Sequence, residues 1–320
     1  MKNFWQKLKK PIFVIAPMAN VTDVAFRSMF AKYGKPDVMW TEFVSADGLC
    51  SHGRKVLLKD LEFSDNERPI VAQLFTGHPD KMLEAAQLVE KLGFDGLDIN
   101  MGCPDRAVEK QGSGAAHIKD MENAKRVIEA AREGAPNIPI SVKTRIGYNK
   151  VEINTWIAFL LEQKLPALTV HLRTRKEMSD VPAHWELMKS IVELRDRISP
   201  ETLIIGNGDV YSIEEGNKRI SDSGCDGVMV GRGIFGNPWF FSGKVLSDIS
   251  PKERLTVMLE HAKAFDTLLG DFKNFAVMKK HFKAYVSGWD GSKELRVMLM
   301  ETSTYDEVEK IVKDYLKMIQ

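Results

Sequence analysis

Three stretches of the chain carry pairs of polar or charged residues two positions apart. Lys143 and Arg145 stand so in PISVKTRIG (139–147), His171 and Arg173 in ALTVHLR (167–173), and Asn207 and Asp209 in TLIIGNGD (202–209). On a strand, a spacing of two puts both side chains on one face. A fourth stretch, GLDINMG (96–102), holds Asn100 and runs into Cys103, which lies between Gly102 and Pro104. A thiol with an ordinary pKa of about 8.5 is mainly protonated near neutral pH and can serve as an acid. Lysine and arginine aimed into a protein interior need compensating charge. Lys143, Arg145 and His171 converging on one mouth therefore imply an anion, such as a phosphate or a reduced cofactor. For Lys143 alone, a snorkelling strand-end lysine or a Schiff-base lysine are the other readings.

Glycines add to this picture. GRGIFG (231–236) has the GxGxxG spacing, but no paired βαβ unit follows it, which weakens a dinucleotide-fold reading. In a barrel, the loops after the seventh and eighth strands often bind phosphate through backbone N–H groups, the other reading being that such glycines merely make tight turns. Gly208 in NGD and Gly231-Arg232 stand in those two loops. Gln73, closing PIVAQLF (69–75), is either an ordinary capped polar residue or a hydrogen-bond partner for a planar heterocycle.

Positioning these residues takes a regular scaffold. Eight short β-rich apolar runs recur: IFVIAPM (12–18), VMWTEFV (38–44), PIVAQLF, GLDINMG, PISVKTRIG, ALTVHLR, TLIIGNGD and GVMVGRG (227–233). Helical patterns separate them. In HPDKMLEAAQLVEKLG, Pro79 suits a first turn, Met82, Ala85, Ala86, Val89 and Leu92 form one face, and Gly93 ends the helix. The alternation predicts an α/β chain folded as a (β/α)8 TIM barrel, with a doubly wound sheet as competitor. The barrel requires functional side chains at the C-terminal strand ends, which is where the polar residues collect. After Pro238 the pattern turns to amphipathic helices, predicting a small C-terminal helical bundle. The expected division is 1–242 for the barrel and 243–320 for the helical domain.

Hydrophobic residues are 44% of the chain, charged residues 28%, and the formal net charge is +1. A polyanionic partner must then be held by local basic patches. In the helical region Phe275, Met278, Phe282 and Tyr285 form one face, with Lys279, Lys280 and Lys283 beside it. The two readings are a core stripe with a solvated flank, or a phosphate-contacting surface. Cys50, Cys103 and Cys225 form no CxxC pair, and His52, His78, His117, His184, His261 and His281 show no ligand spacing, so no metal is expected and these histidines are read as surface or supporting residues. No apolar run is long enough to cross a membrane, and the lysine-rich start has too short an apolar core for a signal peptide. A cytoplasmic location is expected.

The segments APMANVTDVAFR, VAQLF, INMGCP, VKTRIG, VHLRTR, GNGD and GVMVGRGIFGNPW, in this order from about 12 to 240, resemble the tRNA-dihydrouridine synthase family. The resemblance implies an FMN-bound barrel that reduces the C5–C6 double bond of uridines in tRNA, with NADPH as electron donor. It implies that Pro17, Met18 and Ala19 line the flavin ring, that Gln73 bonds its edge, and that Lys143 stabilises reduced flavin. His171 would contact the ring or phosphate side, and Asn207, Gly208, Asp209, Gly231 and Arg232 would hold the ribityl chain and phosphate. Asn100 and Arg145 would bind the uracil, with hydride from FMN reaching C6 and a proton from Cys103 reaching C5. Lys279, Lys280 and Lys283 could touch tRNA phosphates. The chain departs from the family pattern at Leu172, where glycine is usual, in the glycine-free loop KEMSDVPAHWE (176–186), and at His117. Two rival readings share some of these features: an FMN barrel acting on a free pyrimidine, like dihydroorotate dehydrogenase, and a non-catalytic RNA-binding protein.

Overall fold

The computed structural model describes residues 3–318. Eight parallel strands form one sheet: β1 (Ile12–Ile15), β2 (Met39–Ser45), β3 (Ile70–Phe75), β4 (Gly96–Met101), β5 (Ile140–Arg145), β6 (Ala167–His171), β7 (Leu203–Asn207) and β8 (Gly227–Val230). From β2 to β8 each strand pairs with the next, and β8 pairs with β1. A bridge between Val14 and Val38, with the Asp37 N–H donating to the Phe13 carbonyl at 2.9 Å, joins β1 to the start of β2 and closes the barrel. This excludes the doubly wound alternative. The expected runs extend past several strands, so Arg173, Asp209 and Arg232 stand in loops beyond the strand ends.

Alternation along each strand sorts the side chains. Val14, Trp40, Val71, Ala167, Ile205 and Met229 pack together inside the barrel with Trp5 beneath them. Ile99, Met101, Val142 and Val170 face outward and pack under the helices. The residues two positions further along the inward face are Gln73, Asn207 and Gly231, and on β4 to β6 the same face carries Asp98, Asn100, Lys143, Arg145 and His171. An apolar plug thus underlies a polar upper layer, as the two-residue period demands.

The helix Pro79–Lys91 buries Met82, Ala85, Ala86 and Val89 as its pattern requires, while Leu92 is its exposed C-cap. The C-terminal region comprises Pro251–Leu269, a 3-10 turn Phe275–Met278 leading into Lys279–Tyr285, then Ser292–Glu301 and Tyr305–Met318. Its core joins Met258, Phe265, Met278, Phe282 and Tyr285 to Val24, Ala25 and Met29 of the barrel helix Val24–Tyr33. The aromatic stripe is therefore core, with Met278, Phe282 and Tyr285 buried and Phe275 packed at its edge. Three histidines expected at the surface or in support are instead fully buried: His117, His261 and His281. The two C-terminal ones lie 4.8 Å apart among Phe26, Phe235 and Tyr285, which explains why an aromatic cluster takes them and burial holds both below the ordinary histidine pKa.

Candidate active site

At the C-terminal mouth, the upper layer contains a continuous chain of side-chain hydrogen bonds. Ser141 Oγ donates to Asp98 Oδ1 at 2.5 Å, and Gln73 Nε2 donates to Asp98 Oδ2 at 2.7 Å. Asn100 Nδ2 donates to Gln73 Oε1 at 3.0 Å. Asn100 Oδ1 in turn accepts the backbone N–H groups of Gly102 and Cys103, at 3.1 and 2.9 Å. Burial raises the Asp98 carboxyl to about 6, against the lowering pull of Ser141, Gln73 and Lys143. The two-residue spacing of Asp98 and Asn100 is the same signal that marked Lys143 and Arg145, and it identifies Asp98 as a mouth residue in hindsight.

Cys103 is partly buried, and burial raises its thiol pKa, so the protonated form dominates near neutrality. Its carbonyl accepts from the Ala115 N–H at 2.9 Å, and Gly114, at φ +60°, leaves no room for a Cβ beside that carbonyl. A Cβ on Gly102 would lie 3.1 Å from the Thr144 backbone carbonyl carbon, so this glycine serves the approach of the loop to β5. Arg145 is buried with its guanidinium spread over three carbonyls: Nε to Gly102 at 2.9 Å, Nη1 to Thr174 at 2.9 Å and to Met178 at 2.8 Å. It ties the cysteine loop to the loop after β6.

A second network sits on β6 to β8. Arg173 donates through Nε to the Val181 carbonyl, through Nη1 to His171 Nε2 at 3.0 Å, and through Nη2 to Asp209 Oδ2 at 2.5 Å. Arg232 Nη2 reaches the other carboxylate oxygen at 2.7 Å, and the Ala183 N–H donates to Oδ2 at 2.8 Å. Burial opposes ionisation of Asp209, but Arg173, the Ala183 N–H and Arg232 hold its pKa below the ordinary value. Burial lowers His171 well below the usual histidine range, and Lys143, Arg145, Arg173 and Arg232 add to the effect. Lys143 is lowered to about 8, by burial first and by Arg145 next.

These residues border a cavity of about 230 Å³ lined by Ala16, Pro17, Met18, Lys143, His171 and Arg232, with the 207–209 backbone along one side. Gly208 at φ +127° and Asp209 at φ +50° turn that backbone sharply, and a Cβ on Gly208 would strike Ala183. A Cβ on Gly231 would stand 3.7 Å from both Ala16 and Met18, an ordinary contact distance, so packing within the protein does not itself demand glycine here. Cationic groups, a neutral imidazole and open glycine backbone together suit the phosphate and ribityl end of a flavin nucleotide. Asn207 is turned to the Met229 carbonyl at 2.8 Å, bridging β7 and β8. A larger groove of about 1120 Å³ lies at the opposite, N-terminal end of the barrel among Trp5, Lys10, Arg132 and Arg195, away from all of these groups.

The loop after β1 is held from below and from the helical region. Ala19 and Asn20 are exposed, and Asn20 adopts φ +54°. An irregularity in β2 between Trp40 and Phe43 re-aims Glu42. Glu42 accepts the Asn20 N–H and pairs with Lys273 at 2.5 Å, and Lys273 also reaches Asp60 at 2.7 Å. Lys280 donates to the Asn20 carbonyl. Of the three lysines singled out in sequence, Lys280 is therefore engaged with the barrel, while Lys283 is exposed and Lys279 partly so. Glu42, Asp98, Lys273 and the partnership of Arg173 with Asp209 were not identified from sequence.

The dihydrouridine synthase family profile, "Dihydrouridine synthase (Dus)", matches residues 14–320. This chain belongs to the dihydrouridine synthase family. A "Probable tRNA-dihydrouridine synthase" of Staphylococcus aureus (strain COL) is 39% identical over 317 residues, covering 98% of this chain and 96% of that one. A "Probable tRNA-dihydrouridine synthase 2" of Bacillus subtilis (strain 168) is 40% identical over 317 residues, covering 98% and 97%. Among solved structures, histamine dehydrogenase from Rhizobium sp. 4-9 aligns with a TM-score of 0.53 at 13% identity, covering 79% of this chain and 48% of that one, a likeness of fold. Family membership is consistent with the barrel and with the strand-end residues found at its mouth. Among the described residues no helix is long and apolar enough to cross a membrane, and no cluster of three or more metal-ligating side chains occurs.

Proposed function

We propose that this dihydrouridine synthase family member reduces the C5–C6 double bond of uridines in tRNA, carries FMN, and takes its electrons from NADPH in the cytoplasm. The observation that carries the reading is the convergence, in one mouth, of a cation-rich cavity and a thiol kept protonated by burial. Lys143, His171 and Arg232 would hold the flavin nucleotide together with the backbone of Asn207, Gly208, Asp209 and Gly231. Pro17, Met18, Ala19 and Gln73 would meet its ring. When bound, FMN supplies the hydride that C6 of the uracil receives.

The chain's own residues do the rest. Asn100 and the free part of the Arg145 fork orient the base. Cys103 gives its thiol proton to C5, and the hydrogen bonds of its N–H to Asn100 and of its carbonyl to Ala115 fix where that proton is presented. A base cannot reach a barrel mouth while stacked, so the uridine must be extruded. The barrel, residues 1–242, acts as the flavin domain, and residues 243–320 contact tRNA through exposed basic groups such as Lys279 and Lys283. Dihydrouridine mapping tests this: tRNA from cells lacking the protein should lose the modification at particular positions and regain it with the wild-type chain. Unchanged tRNA in such cells would refute the assignment.

A further inference from the structure

We propose that Asp98 is a positioning residue that, together with the Gly102 and Cys103 N–H groups at the other end, locks the Gln73–Asn100 amide pair in one direction, so that Asn100 presents an N–H donor to the substrate base. The inference rests on the uracil-binding reading of this mouth. It follows from what each group is able to do. A carboxylate only accepts, and Asp98, fully buried, already receives the Ser141 hydroxyl on Oδ1. Gln73 can bond to Oδ2 only through Nε2, which turns Oε1 toward Asn100. Asn100 must then offer Nδ2 to Gln73 and its own oxygen to the Gly102 and Cys103 N–H groups. The direction is thus set at both ends, by the acceptor-only carboxylate of Asp98 and by the donor-only N–H groups of the cysteine loop, all among buried or nearly buried groups where a mismatched pair is costly.

One Nδ2 hydrogen of Asn100 remains after this chain is satisfied. It suits a carbonyl oxygen of uracil and opposes an amino group, the difference between uracil and cytosine at their 4-position. Without an obligate acceptor at position 98, Gln73 can turn over, and Asn100 Nδ2 then loses the Gln73 oxygen that holds it in line.

Asp98→Asn tests the idea, because it keeps the shape while admitting a donor. Rapid mixing of the reduced holoenzyme with tRNA should show reoxidation at saturating tRNA slowed at least about tenfold, the discrimination expected of a misdirected polar contact. tRNA affinity should stay within about twofold. In 15N-labelled flavin-free protein, the Gln73 and Asn100 side-chain amide resonances should shift and lose their protection from hydrogen exchange. Ser141→Ala removes the other Asp98 partner but leaves the Gln73 acceptor, so it should keep both protected amides and a rate within about threefold of wild type. Wild-type rates and amide protection in Asp98→Asn would overturn the proposal. So would equal losses in both variants together with weakened tRNA binding, which would make the cluster merely structural. If the wild-type reduced enzyme is itself inert to tRNA, the functional reading falls, whereas amide protection still reports on the direction of the chain.

Discussion

Arg173 Nη1 donates to His171 Nε2 at 3.0 Å, and because a guanidinium has no acceptor, His171 must carry its proton on Nδ1. The imidazole is then a neutral donor beside the cavity rather than a cation. Burial and four neighbouring cations depress its pKa, so it stays neutral wherever the enzyme works. Nitrogen chemical shifts of labelled histidine should show an Nδ1-protonated ring with no titration between about pH 5.5 and 8. A midpoint near the ordinary value of about 6.5 would contradict this.

Asp209 holds Arg173 at 2.5 Å and Arg232 at 2.7 Å, so its task is to aim two cations. Asp209→Ala should weaken FMN binding about tenfold or more, as expected when charge-assisted contacts of about 1.5–3 kcal/mol are disturbed. The loss should be comparable to that from Arg232→Ala. Calorimetric titration of flavin-free protein measures both, and a weaker effect of Asp209→Ala than of a distant surface aspartate would remove Asp209 from the site.

Lys143 has its pKa lowered to about 8, so its ammonium fraction falls as pH rises through that region. A bound anion favours the charged form. FMN affinity of the wild type should therefore decline from pH 7 to 9.5, and Lys143→Met should bind more weakly at pH 7 with a flatter profile. Flavin fluorescence quenching follows this directly. Parallel profiles in the two proteins would show that another group titrates.

The Glu42–Lys273 pair is nearly buried, with side chains 5% and 14% exposed. Removing one partner leaves a buried charge, which costs about 3–5 kcal/mol. Lys273→Met should lower stability in urea by about that amount, and adding Glu42→Gln should recover most of it. An additive double variant would mean that the two side chains do not interact.

The strands were legible because inward polar residues at a spacing of two stood out against apolar runs, and because glycines marked the sharp turns after β7. Asp98 was hidden by its place inside an apolar run, where GLDINMG reads as strand first and as chemistry second. Arg173 was visible, but its partner Asp209 follows the neighbouring strand, 36 residues further along the chain. Glu42 and Lys273 are 231 residues apart, and their meeting depends on a local irregularity of β2 that no residue pattern announces. Lys280 looked like its neighbours in sequence, yet a single turn of helix separates an exposed lysine from one that reaches the Asn20 carbonyl.

The central claim is that Cys103 protonates a uracil ring in tRNA. Anaerobic stopped-flow with wild type and Cys103→Ala separates the two half-reactions. The variant should bind FMN, accept electrons from NADPH and bind tRNA as the wild type does. Its reduced flavin should be reoxidised by dihydrouridine-free tRNA about 10²–10⁴-fold more slowly, the usual cost of losing a general acid. Reoxidation of Cys103→Ala at the wild-type rate would contradict the account.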